Sequence, residues 1–196
     1  VLGMLDLVLE TRLTQEQQEY LQLAKNSASA LLALINDILD FSKIEAGKLN
    51  LECIEFSLSA LIDESLKIIA SRNAKIGLEI MPNFDGNMPN IIVGDPTRLR
   101  QVLLNLLGNA LKFTEQGVIE LRVKLLQYDD THVEVNFAVS DTGIGIAAEK
   151  LQSIFEAFTQ ADNTITRRFG GTGLGLSISN RLVQAMGGKL SVQSIL

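Results

Sequence analysis

The apolar residues near the start of the chain follow a helical period. Apolar side chains recur there at alternating spacings of three and four, a seam of period 3.5 formed by Leu21, Ala24, Ala28, Leu31, Ile35 and Ile38. The preceding run VLGMLDLVLE is also helix-like, and TRLTQEQ would connect the two helices. Two helices alone have too little core to be stable. We therefore predict a homodimer through residues 1–45, as a four-helix bundle; packing of the hairpin on its own downstream domain is the alternative.

The pattern changes after Gly47, which is expected to end the second helix. The run AGKLNLE then alternates apolar and polar residues, which predicts a strand with one face formed by Leu49, Leu51 and Cys53. This change of period predicts two domains. Residues 1–47 would form the helical hairpin, and residues 48–196 would form the second domain.

The second domain opens with signals for one helix and two short strands. Ser57 is a suitable N-cap for a helix with one apolar face, formed by Leu58, Ile62, Leu66 and Ile69. The runs LEIMP and IIVGDP each predict a short strand.

The most informative helix is predicted to begin at Pro96, after the N-cap residue Asp95. It is apolar almost all round, so it should be buried. One narrow stripe nevertheless stays polar, at spacings of three, four, four and three: Arg98, Gln101, Asn105, Asn109 and Lys112. A buried polar stripe needs hydrogen-bond partners, either in an internal network or on a ligand in a cavity. Two asparagines and a lysine on one stripe favour the ligand.

Two alternating runs, residues 118–126 and 132–140, predict a β-hairpin with QYDDT at its turn. Asp141 would then stand at the end of a central strand, beside the cavity. The run LSISNRLVQAMGG predicts a helix that stops at Gly187, and KLSVQS predicts a final strand. These elements predict a layered α/β domain with helices over one face of a mixed sheet.

Composition narrows the classes of function. The chain has 17 Lys and Arg against 23 Asp and Glu, and a net charge of −6 argues against a general nucleic-acid surface. Cys53 is the single cysteine and cannot form an internal disulfide, which fits a reducing compartment. No apolar run approaches the roughly 18–20 residues of a membrane span, and no signal peptide is recognisable.

Two glycine clusters carry the candidate chemistry. The cluster GGTGLGL, residues 170–176, precedes a helix, where glycines and free backbone N–H groups suit a phosphate; the same loop could be a simple turn. It lacks the Gly-Lys-Ser/Thr ending of a P-loop. The cluster DTGIGI, residues 141–146, places Asp141 where an ionised carboxylate can accept from an exocyclic amine. Gly143 and Gly145 would let a flat base approach the backbone.

The polar stripe completes this picture. Asn109 offers an amide oxygen to a hard cation such as Mg²⁺, which keeps several waters and bridges phosphates. Lys112, one turn on, can reach a phosphate as a point charge. Together with Asp141 and the second glycine cluster, these residues predict a site for ATP and Mg²⁺.

The order and spacing of these motifs resemble those of a known family. In order, GDPTRLRQVLLNLLGNALKFT, SDTGIGI, FEAFTQAD and RRFGGTGLGLSIS are similar to the N, first glycine, F and second glycine boxes of sensor histidine kinases, above all bacterial hybrid kinases. LLALINDILDFSKIEAGKL resembles their second dimerisation helix. The resemblance implies an α+β protein in which a partial helical-hairpin dimerisation domain precedes an α/β sandwich ATP-binding domain of the Bergerat type, shared with gyrase and chaperone ATPases.

The resemblance also implies residue roles. Asn109 would coordinate Mg²⁺, Asp141 would bind the adenine amine, and Asn105 and Lys112 would be the catalytic residues beside the phosphates. Residues 156–171 would form a lid anchored by Phe155 and Phe158. The remaining implied ATP-binding residues are Phe113, Gly143, Gly145, Ile146, Arg167, Gly171, Thr172, Gly173, Leu174 and Gly175.

The chain also departs from the family. The phosphoacceptor run, His-Glu/Asp-x-Arg-Thr-Pro, is absent and is expected shortly before Val1; His132, the single histidine, falls at a hairpin. The closing strand of the family is also absent after SVQSIL. We therefore expect that this chain alone does not phosphorylate itself.

The resemblance implies partners and a location as well. It implies a homodimer that transfers the ATP γ-phosphoryl to a histidine and then to an aspartate of a response-regulator receiver domain. The parent would be anchored in a bacterial inner membrane, with this portion in the cytoplasm. The input signal and the cognate regulator are not encoded in any recognisable motif.

Two alternatives remain beside the kinase. The chain could be an ATP-dependent conformational module, or a pseudokinase of the same fold without phosphotransfer. Position 105 argues against the conformational module. The hydrolytic relatives resemble one another in having a Glu there that activates water, whereas Asn105 cannot accept a proton at neutral pH. Retention of Asn109, Lys112 and Asp141 argues against the second.

Overall fold

The structure is a computed structural model that describes residues 1–73, 77–86, 88–129, 131–157 and 173–195. The chain divides into two compact units, Val1–Leu49 and Asn50–Leu196. Each unit has its own architecture.

The first unit is the predicted helical hairpin. Helix α1 spans Leu2–Leu9 and helix α2 spans Gln15–Glu45. A capping box starts α2: Thr14 Oγ1 accepts from the N–H of Gln17 over 3.2 Å, and Gln17 Oε1 accepts from the N–H of Thr14 over 3.0 Å. The Lys25 ammonium pairs with Asp6 over 2.6 Å and so links the two helices.

The seam of α2 is exposed within the chain, as expected of a surface that another chain covers. Leu31, Ile35 and Ile38 are 58%, 46% and 50% exposed. No residue of α2 is buried. A single copy of this hairpin therefore has no core of its own.

The second unit has five strands and three helices of at least eleven residues in its described part. In chain order they are β1 (Ile54–Ser57), α3 (Leu58–Arg72), β2 (Leu78–Phe84), β3 (Ile91–Gly94), α4 (Pro96–Phe113), β4 (Gly117–Tyr128), β5 (Val133–Asp141) and α5 (Gly175–Ala185). Two short 3₁₀ turns, Ala148–Lys150 and Ser153–Phe155, lie between β5 and α5.

The strands form two sheets. In the larger sheet β4 is central: β2 pairs parallel to it and β5 pairs antiparallel to it, with Ile119 opposite Asp141. In the smaller sheet β1 and β3 are antiparallel. The mixed sheet of the prediction is therefore confirmed.

The core lies between the larger sheet and the helices. Alternate residues of β4 point into it, and α3 and α4 supply the other wall. The buried members are Leu58, Leu61, Ile62, Ile69, Leu78, Leu103, Leu107, Ala110, Ile119, Leu121 and Val123. The apolar face predicted for α3 is thus confirmed, and its predicted cap is present, since Ser57 Oγ accepts from the N–H of Ala60 over 3.2 Å.

Three predictions about strands were wrong. Residues 49–53 are not a strand, and β1 begins only at Ile54. The β-ladder with β3 decides this, because its register ends at Ile54 opposite Gly94. In the described part of the chain β5 is an edge strand of its sheet rather than a central one. Residues 189–195 do not form a strand, and neither described sheet includes them.

Candidate functional site

The site is built around α4, and a buried carboxylate fixes where this helix begins. Asp95 Oδ1 accepts from the N–H of Arg98 over 2.9 Å, as an N-cap should, and Pro96 occupies the first turn. Asp95 Oδ2 also accepts from the N–H of Glu52 over 3.0 Å. One side chain thus satisfies an open helix end and ties down the segment that leads into β1.

The polar stripe of α4 combines both alternatives of the sequence analysis. At its N-terminal end Arg98 Nη1 donates to Gln101 Oε1 over 2.8 Å, which is an internal network. Further along, Asn105 Nδ2 donates to Ser179 Oγ of α5 over 2.8 Å. Asn109 is half-buried, and its side-chain amide has no hydrogen-bond partner in the described part of the chain. The middle of the stripe is therefore the part that can receive a ligand.

Lys112 ends the stripe with a charge in a partly apolar setting. Its Nζ lies 4.7 Å from the centroid of the Phe113 ring, within the range of a cation–π contact. Partial burial lowers the pKa of the Lys112 ammonium, because removal from water disfavours the charged form. An anion placed beside Lys112 would favour its charged form.

Asp141 lies next to the C-terminal end of α4, at the exposed end of β5. Its Oδ1 accepts from the N–H of Gly143 over 2.9 Å and from the hydroxyl of Thr114 over 3.3 Å. Both donors use the same oxygen. The second oxygen, Oδ2, has no hydrogen-bond partner among the described residues and can accept from a ligand.

The first glycine cluster folds tightly against α4. The N–H of Ile144 donates to the carbonyl of Phe113 over 3.4 Å. A Cβ on Gly143 would lie 2.5 Å from that carbonyl oxygen and 2.7 Å from Asp141 Oδ1, so only glycine fits here. Gly145 has φ of 70°, a conformation that glycine adopts without strain.

The side chains around this cluster are arranged unevenly. Ile144 is 54% exposed, an apolar surface next to the carboxylate. Ile146 is half-buried, and its N–H donates to Ser194 Oγ over 2.8 Å. Phe155 lies in the second 3₁₀ turn and is half-buried.

The second glycine cluster is described only from Gly173 onward. Gly173 has φ of 70°, Leu174 is buried, and Gly175 is the first residue of α5. Asn105 lies against Gly175, so that a Cβ there would come within 3.0 Å of Asn105 Cγ. The predicted site residues Phe158, Arg167, Gly171 and Thr172, and the predicted lid over residues 156–171 apart from its first two residues, lie outside the described residues.

The structure brings most described site residues into two groups. Asp141 and Gly143 contact the C-terminal end of α4 at Thr114 and Phe113, and Gly145 and Ile146 follow them in the chain. Asn105 contacts the start of α5 at Gly175 and Ser179. Sequence reasoning missed Thr114 and Ser179, which hold Asp141 and Asn105. Thr114 directly follows the predicted helix end, and Ser179 is one turn from Gly175, but neither position has a pattern that reveals a partner 27 or 74 residues away.

These residues fit a nucleotide that carries its own metal. Among the described residues no three His, Cys, Asp or Glu side chains cluster to hold a metal ion. The unpaired amide of Asn109 can therefore supply one protein ligand, and the phosphates and water would have to supply the others. That is the usual way in which Mg²⁺ is bound with a nucleotide.

The chain matches two protein families along its length. The profile of the histidine kinase-, DNA gyrase B-, and HSP90-like ATPase matches residues 94–195, and that of the His Kinase A (phospho-acceptor) domain matches residues 1–47. No helix within the described residues has an apolar stretch that would suffice to cross a membrane.

Curated relatives are similar over almost all of this chain. Hybrid signal transduction histidine kinase L of Dictyostelium discoideum is 48% identical over 195 residues, which is 99% of this chain and 11% of that protein. The signal transduction histidine-protein kinase BarA of Escherichia coli K12 is 46% identical over 194 residues, which is 99% of this chain and 21% of that protein. The chain thus spans between a tenth and a quarter of the length of these relatives.

Solved structures agree with the fold. Full-length ShkA in complex with AMPPNP superposes with a TM-score of 0.74 at 37% identity, over 99% of this chain and 40% of that chain. The catalytic domain of histidine kinase ThkA superposes with a TM-score of 0.55 at 30% identity, over 68% of this chain and 81% of that chain.

Proposed function

Because this chain belongs to the histidine kinase family, joining a His Kinase A domain to a histidine kinase-, gyrase- and HSP90-like ATPase domain, we propose that it binds ATP with Mg²⁺ and transfers the γ-phosphoryl to a histidine. The observation that carries this proposal is the arrangement of Asp141. One carboxylate oxygen is held by Thr114 and Gly143 while the other stays open.

Asp141 would select the base. An ionised carboxylate accepts but does not donate, so Oδ2 suits the exocyclic amine of adenine and opposes the carbonyl that guanine has at the same position. The missing side chain at Gly143 and the apolar surface of Ile144 leave a flat base room to pack against the backbone. Two hydrogen bonds to Oδ1 fix the carboxylate before the base arrives, which lowers the cost of ordering it.

Three groups would hold the phosphates. The ammonium of Lys112 would pair with a phosphate, and the N-terminus of α5, after Gly173, offers free N–H groups and a partial positive charge. Asn109 would contribute its amide oxygen to the cation. When bound, Mg²⁺ neutralises phosphate charge and favours displacement at the γ-phosphorus.

Asn105 would keep the γ-phosphoryl from being lost to water. An amide has no basic site at neutral pH, so it cannot remove a proton from an attacking water. The phosphoryl therefore waits for a better nucleophile, and a neutral imidazole held in line with the phosphorus meets that need.

The first unit would supply the dimer. A His Kinase A domain implies dimerisation, and the exposed seam of α2 is the surface that fits it. We extend this to residues 1–45 as the interface. Onward transfer to the aspartate of a receiver domain is consistent with relatives named hybrid kinases. Attachment of the parent to a membrane, and its bacterial origin, remain predictions, since Dictyostelium relatives are equally similar.

Phosphotransfer is tested with γ-labelled ATP. The 196-residue chain should acquire no acid-labile, base-stable label, because its single histidine, His132, is exposed at the β4–β5 hairpin. The same chain with a helical His-Glu-x-Arg-Thr-Pro segment joined before Val1 should become labelled on that histidine. Asn109→Ala in the extended chain should abolish the label. An extended chain that binds ATP but stays unlabelled would favour a pseudokinase, and labelling of His132 would contradict the assignment.

A further inference from the structure

The Asn105 side chain of α4 contacts two residues of α5. Its Nδ2 donates to Ser179 Oγ over 2.8 Å, and its Oδ1 lies against the position where a side chain at residue 175 would begin. Gly175 and Ser179 are four residues apart in α5, so they occupy one face of that helix on consecutive turns. One residue makes room for the amide and the other binds it.

The contact of Asn105 with Ser179 joins two different helices. Ser179 is 1% exposed, so its hydroxyl is removed from water and depends on a protein partner. Its neighbour on the same helix, Ser177, is also buried but donates to the carbonyl of Leu174 in its own first turn. Ser179 instead accepts from a side chain of another helix, 74 residues away in sequence.

We propose that Ser179 is a positioning residue that orients the Asn105 amide for binding of ATP with Mg²⁺. This inference rests on the proposed function, whose phosphate site includes the N-terminus of α5. Because one amide hydrogen of Asn105 is bound by Ser179, the carbonyl oxygen is directed toward Gly175 and the first turn of α5.

The direction of the amide decides what Asn105 can bind. An amide oxygen accepts hydrogen bonds and is repelled by phosphate oxygens, whereas it suits water in the hydration shell of a cation. Without Ser179 the amide can turn over and offer its N–H groups to a phosphate instead. Loss of Ser179 should therefore reduce the gain in ATP affinity that Mg²⁺ brings. It should leave recognition of the base, which is proposed for Asp141, unchanged.

The affinity for ATP, measured by calorimetry with and without Mg²⁺, tests this role. Loss of one hydrogen bond should weaken binding of ATP with Mg²⁺ by about fivefold in Ser179→Ala, and binding of ATP without Mg²⁺ by less than about twofold. Ser179→Thr keeps a hydroxyl and should stay close to the unmodified chain. Ser65→Ala is the matched control, since Ser65 is a fully buried helical serine whose hydroxyl donates to Leu61 of its own helix.

A double-mutant cycle separates positioning from a general effect on the fold. A residue that acts through Asn105 has nothing left to position in Asn105→Ala, so adding Ser179→Ala to that variant should cause no further loss. An undiminished loss in the double variant, or an equal loss in Ser65→Ala, would overturn the proposal. Failure of the unmodified chain to bind ATP with Mg²⁺ would instead refute the proposed function.

A spectroscopic measurement tests the hydrogen bond itself, whatever the nucleotide affinity. In ¹⁵N–¹H spectra of the chain, the side-chain amide signals of Asn105, identified by their absence in Asn105→Ala, should be slow to exchange with solvent. They should shift and exchange faster in Ser179→Ala but not in Ser65→Ala. Identical Asn105 signals in the Ser179→Ala variant would contradict the proposal.

Discussion

Thr114 donates its hydroxyl to Oδ1 of Asp141 over 3.3 Å, from a fully buried position at the C-terminal end of α4. The bond joins helix α4, which carries the proposed phosphate-binding residues, to strand β5, which carries the proposed base-selecting carboxylate. It leaves the other oxygen of Asp141 open. The two halves of the proposed nucleotide site are thus connected by one side chain that no sequence pattern singles out.

Thr114→Val removes this hydroxyl while keeping the shape of the side chain. The Asp141 carboxylate then loses one of its two fixed partners, and we expect affinity for ATP to fall by about three- to tenfold. Thr114→Ser is the matched control and should bind within about twofold of the unmodified chain. Calorimetry with ATP checks both, and equal affinity of the Val and Ser variants would show that the bond does not position Asp141.

Gly143→Ala should damage both the fold and the site. Its Cβ would lie 2.5 Å from the carbonyl oxygen of Phe113, so the backbone must shift, at a cost of about 1–3 kcal/mol in the free energy of unfolding. Gly108→Ala is the matched control within α4, since a Cβ there meets nothing within 4 Å. It should stabilise the chain by about 0.5–1 kcal/mol. Denaturant unfolding measures both, and a harmless Gly143→Ala would contradict the described packing.

The lowered pKa of Lys112 predicts a pH-dependent affinity. The protonated form binds phosphate, so affinity for ATP should fall as the pH rises through the lowered pKa of the free protein. Binding there should take up protons, which calorimetry in buffers of different ionisation enthalpy detects. Lys112→Arg keeps its charge and should show neither effect over the same range. An unmodified chain whose affinity for ATP is as independent of pH as that of Lys112→Arg would contradict the prediction.

The same shift has a consequence for folding. Because the pKa is lowered in the folded state, the unfolded chain binds the proton more tightly between the lowered and the ordinary value. The free energy of unfolding should therefore rise with pH across that window through this group. Lys112 is only partly buried, so the effect should be small.

Much of the fold could be predicted because it depends on local patterns. The helical hairpin, the Ser57 and Asp95 caps and the buried character of α4 all follow from periodicity and capping chemistry. The candidate carboxylate and glycines were found for the same reason, since each stands at a boundary between elements. Their roles in binding remain predictions.

The parts that could not be predicted depend on partners distant in sequence. Alternation at Leu49, Leu51 and Cys53 resembles a strand, but the pairing of Ile54 with Gly94 decides where β1 begins. Whether β5 is central or at an edge depends on which strands flank it, and not on its own residues. The hydrogen bond from Asn105 to Ser179 requires α4 and α5 to pack together, which no local sequence pattern predicts.

The seam of α2 predicts a dimer that charge can disrupt. Leu31→Asp with Ile35→Asp places two carboxylates in an apolar interface, and sedimentation should show a monomer that still binds ATP. Ser29→Asp with Ala33→Asp is the matched control on the opposite face of the helix and should stay dimeric. An unmodified chain that is monomeric at high concentration, or a dimer that survives both changes in the seam, would contradict the interface.

Base selection by Asp141 is the central claim, and calorimetric titration of the unmodified chain with ATP and with GTP, each with Mg²⁺, tests it most directly. We predict one site per chain, binding of GTP at least about tenfold weaker than that of ATP, and a similar loss for ATP in Asp141→Ala. Loss of one hydrogen bond to an ionised group costs about 1.5–3 kcal/mol, which corresponds to that ratio or more. Equal affinity for the two nucleotides, or undiminished ATP binding in Asp141→Ala, would contradict the account.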